Sequence, residues 1–328
     1  MPNDALFIAA TGQHVGKTTV CLGLLEGLCQ RLGAAAVGFT KPVGQQHVEI
    51  ESGLHVDKDS ALFKDHFQLT CEYEDMSPVM VPAGFTRRFI DGEVTVEELR
   101  IKIKSAFERV CSSHSYTIVE GTGHVGVGSI IDLNNAQVAS LLGLEMVIIA
   151  SGGLGSAFDE LAQNVALCKL HGVHVRGVIL NRVIEDKQAM IMDYFSRALA
   201  RWDIPLVGCI PYNEYLSTPC MRDFELLFDT PLLSGESARY RHFSEIRLVA
   251  TTYEVYRELI AQHQLVITPA KREDIIMATL TAHRQAKLRD GKDLRGGMIL
   301  TGRHPPSPAI LKEIREAKIP ILYANMPS

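Results

Sequence analysis

Gly12, Gly16, Lys17 and Thr18 stand within Ala10-Thr11-Gly12-Gln13-His14-Val15-Gly16-Lys17-Thr18-Thr19, a stretch whose residue types suit a polyphosphate. Glycines let a backbone curl close to phosphate oxygens. A lysine can reach the outer phosphates, and a hydroxyl directly after it can ligate Mg²⁺. The spacing predicts a phosphate loop made by Thr11, Gly12, Gln13, His14, Val15, Gly16, Lys17, Thr18 and Thr19, which takes a polyphosphate with Mg²⁺. One residue departs from the pattern G-x-x-x-x-G-K-[ST]: Thr11 stands where the first glycine belongs, and Gly12 comes one position late.

A second set of polar residues falls at the ends of apolar runs. Lys41, in Thr40-Lys41-Pro42-Val43-Gly44, projects either into a site at the strand's carboxyl edge or into solvent before a turn proline. Asp57 and Asp59 precede an apolar-periodic segment ending at Phe67, and are either Mg²⁺ ligands or acids that complement a helix N-terminus. Glu120 closes the run Tyr116-Thr117-Ile118-Val119 and is predicted to hold Mg²⁺ directly or through water. His124, in the following glycine-rich loop, reads as a satisfied polar residue, since nothing marks a partner for it. Asn181 ends another apolar run, where an amide either reads a purine or caps the loop.

The elements that must position these residues are also legible. Leu6 to Ala10 reads as a strand buried on both faces, and Val20, Leu22, Leu24, Leu25, Leu28 and Leu32 recur at helical spacing up to a stop at Gly33. Ala34 to Phe39 predicts a second strand. A helix is expected from Thr95, as N-cap with Glu98 completing a capping box, to about Cys111. Then come a helix over 136–142, a strand over 146–150, a helix over 158–171, a strand over 178–181, a helix over 186–202, and a strand over 206–210 closed by Pro211. Strands alternating with helices predict right-handed crossovers and a doubly wound parallel sheet. The loop Ser151 to Gly155 has no G-x-G-x-x-G fingerprint, so a nicotinamide-type site is not expected. From Leu216 onward, strands at 246–250, 265–268, 297–302 and 319–323 alternate with helices at 253–260, 273–287 and 308–317, which predicts a second, smaller α/β domain. The expected domains are 1–214 and 215–328.

Composition narrows the function classes. Of 328 residues, 46% are apolar and 22% charged, as in ordinary globular proteins. Net charge is −5, which gives no basic footprint for nucleic acid or an anionic membrane. The longest apolar run, Val138 to Ala150, is broken by Ser140, Gly143 and Glu145, and no leader pattern opens the chain, so a cytoplasmic location is expected. Seven scattered cysteines without C-x-x-C spacing read as reduced thiols.

The phosphate loop, Lys41-Pro42-Val43, Val119-Glu120-Gly121, Leu154-Gly155 and Val178-Ile179-Leu180-Asn181 occur in an order that resembles dethiobiotin synthetase. The same order is found in the related N-terminal domains of cobyrinic acid a,c-diamide synthase and long phosphate acetyltransferases. That resemblance implies that Lys17, Thr18, Glu120 and one of Asp57 and Asp59 hold Mg-ATP, that Asn181 and the Ile210-Pro211 turn contact adenine, and that Lys41 faces the acceptor. Lys17 and Lys41 are then the charge-stabilising catalytic residues, and a dimer or larger homo-oligomer is implied. Gln13-His14 replace an acid of the dethiobiotin synthetase loop, and Gly153 replaces its lysine before Leu-Gly. Ser217 to Arg222, Thr268-Pro269, Arg272-Glu273-Asp274 and Gly297 to Gly302 resemble the DRTGG domain, with Lys271 and Arg303 departing from the namesake residues. This module implies regulation, through a protein partner or small ligand. Nothing in the chain resembles a phosphate acetyltransferase catalytic domain. The expected function is therefore an ATP-binding regulatory or assembly module with at most slow hydrolysis. A ligase that phosphorylates a carboxylate or carbamate is the competing expectation, weakened by the missing cation at Gly153.

Overall fold

Alternate residues of the first strand, Asp4–Ala10, serve two cores: Phe7 and Ala9 face one, Ile8 and Ala10 the other. A strand buried on both faces must lie inside a sheet covered by helices on each side. In the computed structural model, which describes residues 4–50 and 53–327, that sheet has six strands. In space they run Leu206–Pro211, Val175–Val183, Met146–Ser151, Asp4–Ala10, Tyr116–His124, Val37–Thr40, and every neighbouring pair is parallel. The chain first builds toward Val37–Thr40 and later adds strands on the opposite side of Asp4–Ala10. The strand order therefore reverses beside the loop that follows this first strand, and ligands of open parallel sheets bind at such a place.

The helix Lys17–Leu32 ends where expected, with the Gly33 amide N–H donating to the Cys29 carbonyl. Val20, Cys21 and Leu25 bury its inner face in the same core as Phe39 and Phe63. The helix Val96–Ser113 carries the expected capping box between Thr95 and Glu98, and Leu99 and Ile103 enter the other core. Residues 34–36 do not begin the second strand as expected. They form a short 3₁₀ turn, and pairing starts at Val37, because three alanines just past a helix stop offer no branched side chains to favour extension. The strand expected to end at Glu120 runs on to His124, and the one expected over 178–181 spans Val175–Val183. Two short helices, Tyr73–Met76 and Phe85–Ile90, lie where the sequence was too polar or too short to show a period.

By its internal contacts the chain divides into a unit ending at Tyr212 and one beginning at Asn213. The expected domain limits at 1 and 328 lie outside the described residues. The second unit holds a five-stranded mixed sheet in the order Leu232–Ser234, Ile321–Ala324, Gly297–Thr301, Gln264–Pro269, Glu245–Leu248. Only the first of these pairs is antiparallel. Its core is Val266, Met298, Leu300 and Ile321 under the helices Glu273–Asp290 and Pro308–Ala317.

Candidate functional site

The turn between Ala10 and Lys17 depends on two residues in the left-handed region, His14 at φ 58° and Gly16 at φ 96°. Gly16 has no alternative: a Cβ there would meet the Asn181 side chain at a distance no real Cβ shows. The turn delivers Lys17, Thr18 and Thr19 to the first turn of a helix, where backbone N–H groups have no intrahelical acceptor and the dipole is positive. The first such bond closes at Val20, whose N–H donates to the Gly16 carbonyl. The Thr11 N–H donates to Ile149 O at 2.9 Å, which ties the base of the turn to the neighbouring strand.

Around this helix end a cleft of about 480 Å³ is lined by Gly12, Gln13, His14, Val15, Gly16, Lys17, Thr18, Lys41, Asp59 and residues described below. The Lys17 ammonium donates to Gly123 O at 3.3 Å, and the Thr18 hydroxyl donates to Asp59 Oδ2 at 3.4 Å and Glu120 Oε1 at 3.3 Å. Glu120 is fully buried. Burial pushes its carboxyl up to about 7, with Asp59 adding to the rise while Lys41 and Lys17 oppose it. Lys41 is buried beside it. Burial alone would lower the Lys41 ammonium, but Glu120, Asp57 and Asp59 outweigh that effect and hold it above the usual lysine range.

Asp57 and Asp59 separate in role. Asp57 Oδ1 accepts the Asp59 N–H at 2.9 Å and caps the helix Lys58–Phe67, and the residue is fully buried behind Lys41. Asp59 lines the cleft and meets Thr18. Among the described residues, no group of three or more His, Cys, Asp or Glu is arranged to hold a metal ion by itself. Mg²⁺ bound with a nucleotide asks for less, because it keeps waters and phosphate oxygens and takes one or two carboxylates from the protein. Thr18, Asp59 and Glu120 meet that need, and Glu120 Oε2 is a buried oxygen with no hydrogen-bond partner. The donor set fits Mg²⁺.

Of the expected residues, Asp57, Glu120 and Asn181 are buried and do not line the cleft, and Thr11, Thr19 and Pro211 stand apart from it. Thr19 is exposed on the far side of the first helical turn, and Pro211 is exposed at the end of its strand. Thr11 lines a smaller neighbouring pocket with His124, Glu160 and Asn164. His124 Nδ1 accepts the Gly126 N–H at 3.1 Å, in keeping with its reading as a satisfied loop residue. Asn181 is buried. Its amide donates to Val15 O at 2.7 Å and accepts the Arg182 N–H at 3.0 Å, so it braces the phosphate loop from behind. Asn181→Ala is expected to lower stability by about 1–2 kcal/mol, because a buried carbonyl loses its donor. A urea denaturation midpoint equal to the wild type's would show that the amide braces nothing.

Gln45, Gln46, Lys58, Thr122, Gly123 and Arg182 also line the cleft and were not anticipated. Lys58 lies between Asp57 and Asp59, and Arg182 directly follows Asn181, so nearness in sequence was the available signal. Asn135 had none. Its side chain accepts the Thr122 N–H at 3.0 Å and donates to the carbonyls of Thr122 and His124 at 2.9 and 2.8 Å, and so fixes the loop beside Glu120.

A family model described as an AAA domain matches residues 4–220, and a DRTGG domain model matches residues 228–326. The chain is 30% identical over 326 residues to a phosphate acetyltransferase of Pseudomonas aeruginosa, covering 95% of this chain and 44% of that relative. It thus spans less than half the length of the acetyltransferases it matches. It is 26% identical to an ATP-dependent dethiobiotin synthetase of Methanocaldococcus jannaschii, over 68% of this chain and 98% of the relative. Among solved structures, the MinD cell division protein of Aquifex aeolicus aligns with a TM-score of 0.41 at 12% identity, over 65% of this chain and 84% of that one.

Proposed function

The chain belongs to the AAA domain family over residues 4–220, with a DRTGG domain behind it, and from that premise we propose that it is an Mg-ATP-binding regulatory or assembly module with at most slow hydrolysis. The observation that carries the reading is that Lys17, Thr18 and Asp59 line one cleft at a helix N-terminus, with the buried Glu120 carboxyl in contact with the Thr18 hydroxyl. The free backbone N–H groups of the turn would meet phosphate oxygens, and Lys17 would exchange its bond to the Gly123 carbonyl for them. Thr18, Asp59 and Glu120 would hold Mg²⁺, which would supply charge neutralisation for the phosphates. Asn181 and Asn135 keep the two loops rigid and so hold these groups in place.

Binding is better supported than turnover. Phosphoryl transfer needs positive charge around the transferred group; Lys41, Lys58 and Arg182 line the cleft beside Lys17, but Gly153 stands where dethiobiotin synthetases carry a lysine before Leu-Gly. The DRTGG unit is then the part that meets a protein partner or small ligand, and the nucleotide state of the first domain is what it reports. A homo-oligomer is the expected assembly. The match along nearly the whole dethiobiotin synthetase relative favours a second reading, an ATP-dependent ligase acting on a carboxylate or carbamate. Calorimetric titration with ATP and Mg²⁺, followed by a phosphate-release assay with and without small carboxylates, tests both. Saturable binding with slow release that carboxylates leave unchanged is expected. Release that rises with a carboxylate would replace the regulatory reading with the ligase one.

A further inference from the structure

Lys41 carries its positive charge among the oxygens that a divalent cation would need. Its ammonium lies 2.9 Å from Asp57 Oδ1 and 4.0 Å from Glu120 Oε1, and it pairs closely with Asp59 Oδ2. Asp59 and Glu120 are the same two carboxylates that the Thr18 hydroxyl touches. Asp57 and Glu120 are fully buried, and each keeps one oxygen, Asp57 Oδ2 and Glu120 Oε2, without a hydrogen-bond partner. Three acids around one ammonium leave the nest short of positive charge, yet the ammonium occupies its mouth. Two cations a few ångströms apart in a poorly solvated site repel strongly, so the lysine and a metal ion cannot both rest on these oxygens.

Building on the Mg-ATP reading, we propose that Lys41 is an internal counter-cation that gates the metal. It holds the carboxylate nest against free divalent ions and gives it up only when a polyphosphate offers other anionic oxygens. Lys41 lines the cleft together with Lys17 and the residues from Gly12 to Thr18, so the ammonium reaches those oxygens by rotating its own side chain. Its backbone stays anchored, with the Lys41 N–H donating to Met76 O at 2.8 Å. A lysine suits this task better than an arginine, being a compact point charge on a flexible stem rather than a rigid fork that would lock onto a carboxylate. The consequence is ordered loading: the metal enters with the nucleotide and is refused without it.

The test measures Mn²⁺ binding to the full chain by the electron paramagnetic resonance signal of free Mn²⁺, with and without the non-hydrolysable analogue AMPPNP. The wild type is expected to bind Mn²⁺ weakly alone and firmly with AMPPNP. Lys41→Met, which removes the internal cation, is expected to bind Mn²⁺ without nucleotide roughly tenfold or more tightly than the wild type. Equal nucleotide-free affinities in the two proteins overturn the gate while leaving nucleotide binding intact. Failure of the wild type to take up Mn²⁺ with AMPPNP overturns the Mg-ATP reading itself, and the gate with it. If Lys41→Met does not fold, Lys41→Met combined with Asp57→Asn restores the net charge of the nest and keeps Thr18, Asp59 and Glu120. It is held to the same two outcomes.

Discussion

Lys17→Ala weakens nucleotide binding by about a hundredfold or more, the size expected when one partner of a desolvated charge pair is truncated. The expectation follows from where the side chain stands. Lys17 opens the helix that follows the phosphate turn, lines the cleft, and donates a 3.3 Å bond to the Gly123 carbonyl. A carbonyl is a neutral acceptor, and exchanging it for phosphate oxygens gains a charge-assisted bond. The substitution should spare the fold, because Lys17 is partly exposed and alanine suits a helix. Calorimetric titration of both proteins with Mg-ATP, alongside their circular dichroism spectra, separates lost affinity from lost structure. Equal affinity in a folded Lys17→Ala protein would show that the cleft is not a nucleotide site, and would also remove the basis for assigning Thr18, Asp59 and Glu120 to the metal.

Features written along the chain were legible in advance, and features made by distant contacts were not. The apolar run before the phosphate turn, the stop at Gly33 and the Thr95–Glu98 capping box are local patterns, and the strand Asp4–Ala10 and the helices Lys17–Leu32 and Val96–Ser113 follow from them. The strand expected to end at Glu120 continues through Gly121-Thr122-Gly123-His124, where two glycines weaken the strand preference. The pairing of Ala10 with His124 and the Asn135 side chain hold that segment extended, and neither is visible from composition. Asn181 shows the same limit from the other direction. The apolar run that leads to it was readable, but the strand continues past it to Val183, and its bond to Val15 O spans 166 residues and makes it a brace. Asp57 and Asp59 stand as a pair in the sequence. Only the fold distinguishes them, because a helix cap one residue ahead of its helix turns Asp57 inward and leaves Asp59 facing the cleft.

Glu120→Gln is expected to separate stability from metal binding, in opposite directions. The Glu120 carboxyl is raised from an ordinary 4.5 to about 7, first by burial. Between those values the folded chain keeps a proton that the unfolded chain has released. The wild type is therefore progressively destabilised as pH rises through that window, and the loss is complete above it, amounting to about 3 kcal/mol. A glutamine keeps the shape of the protonated acid and never ionises. The variant should match the wild type in urea denaturation at pH 4, below the window, and exceed it by about 3 kcal/mol at pH 8. Equal pH profiles in the two proteins would mean that the buried acid ionises without cost, with Lys41 and Lys17 fully compensating its burial. Metal binding should move the other way. Mg²⁺ prefers the ionised carboxylate, so stabilisation of the wild type by Mg-ATP should grow from pH 6 to pH 8, while Glu120→Gln should show little at either pH. A residue whose replacement stabilises the fold and disables the site is held there by its chemistry, because packing alone would favour the glutamine.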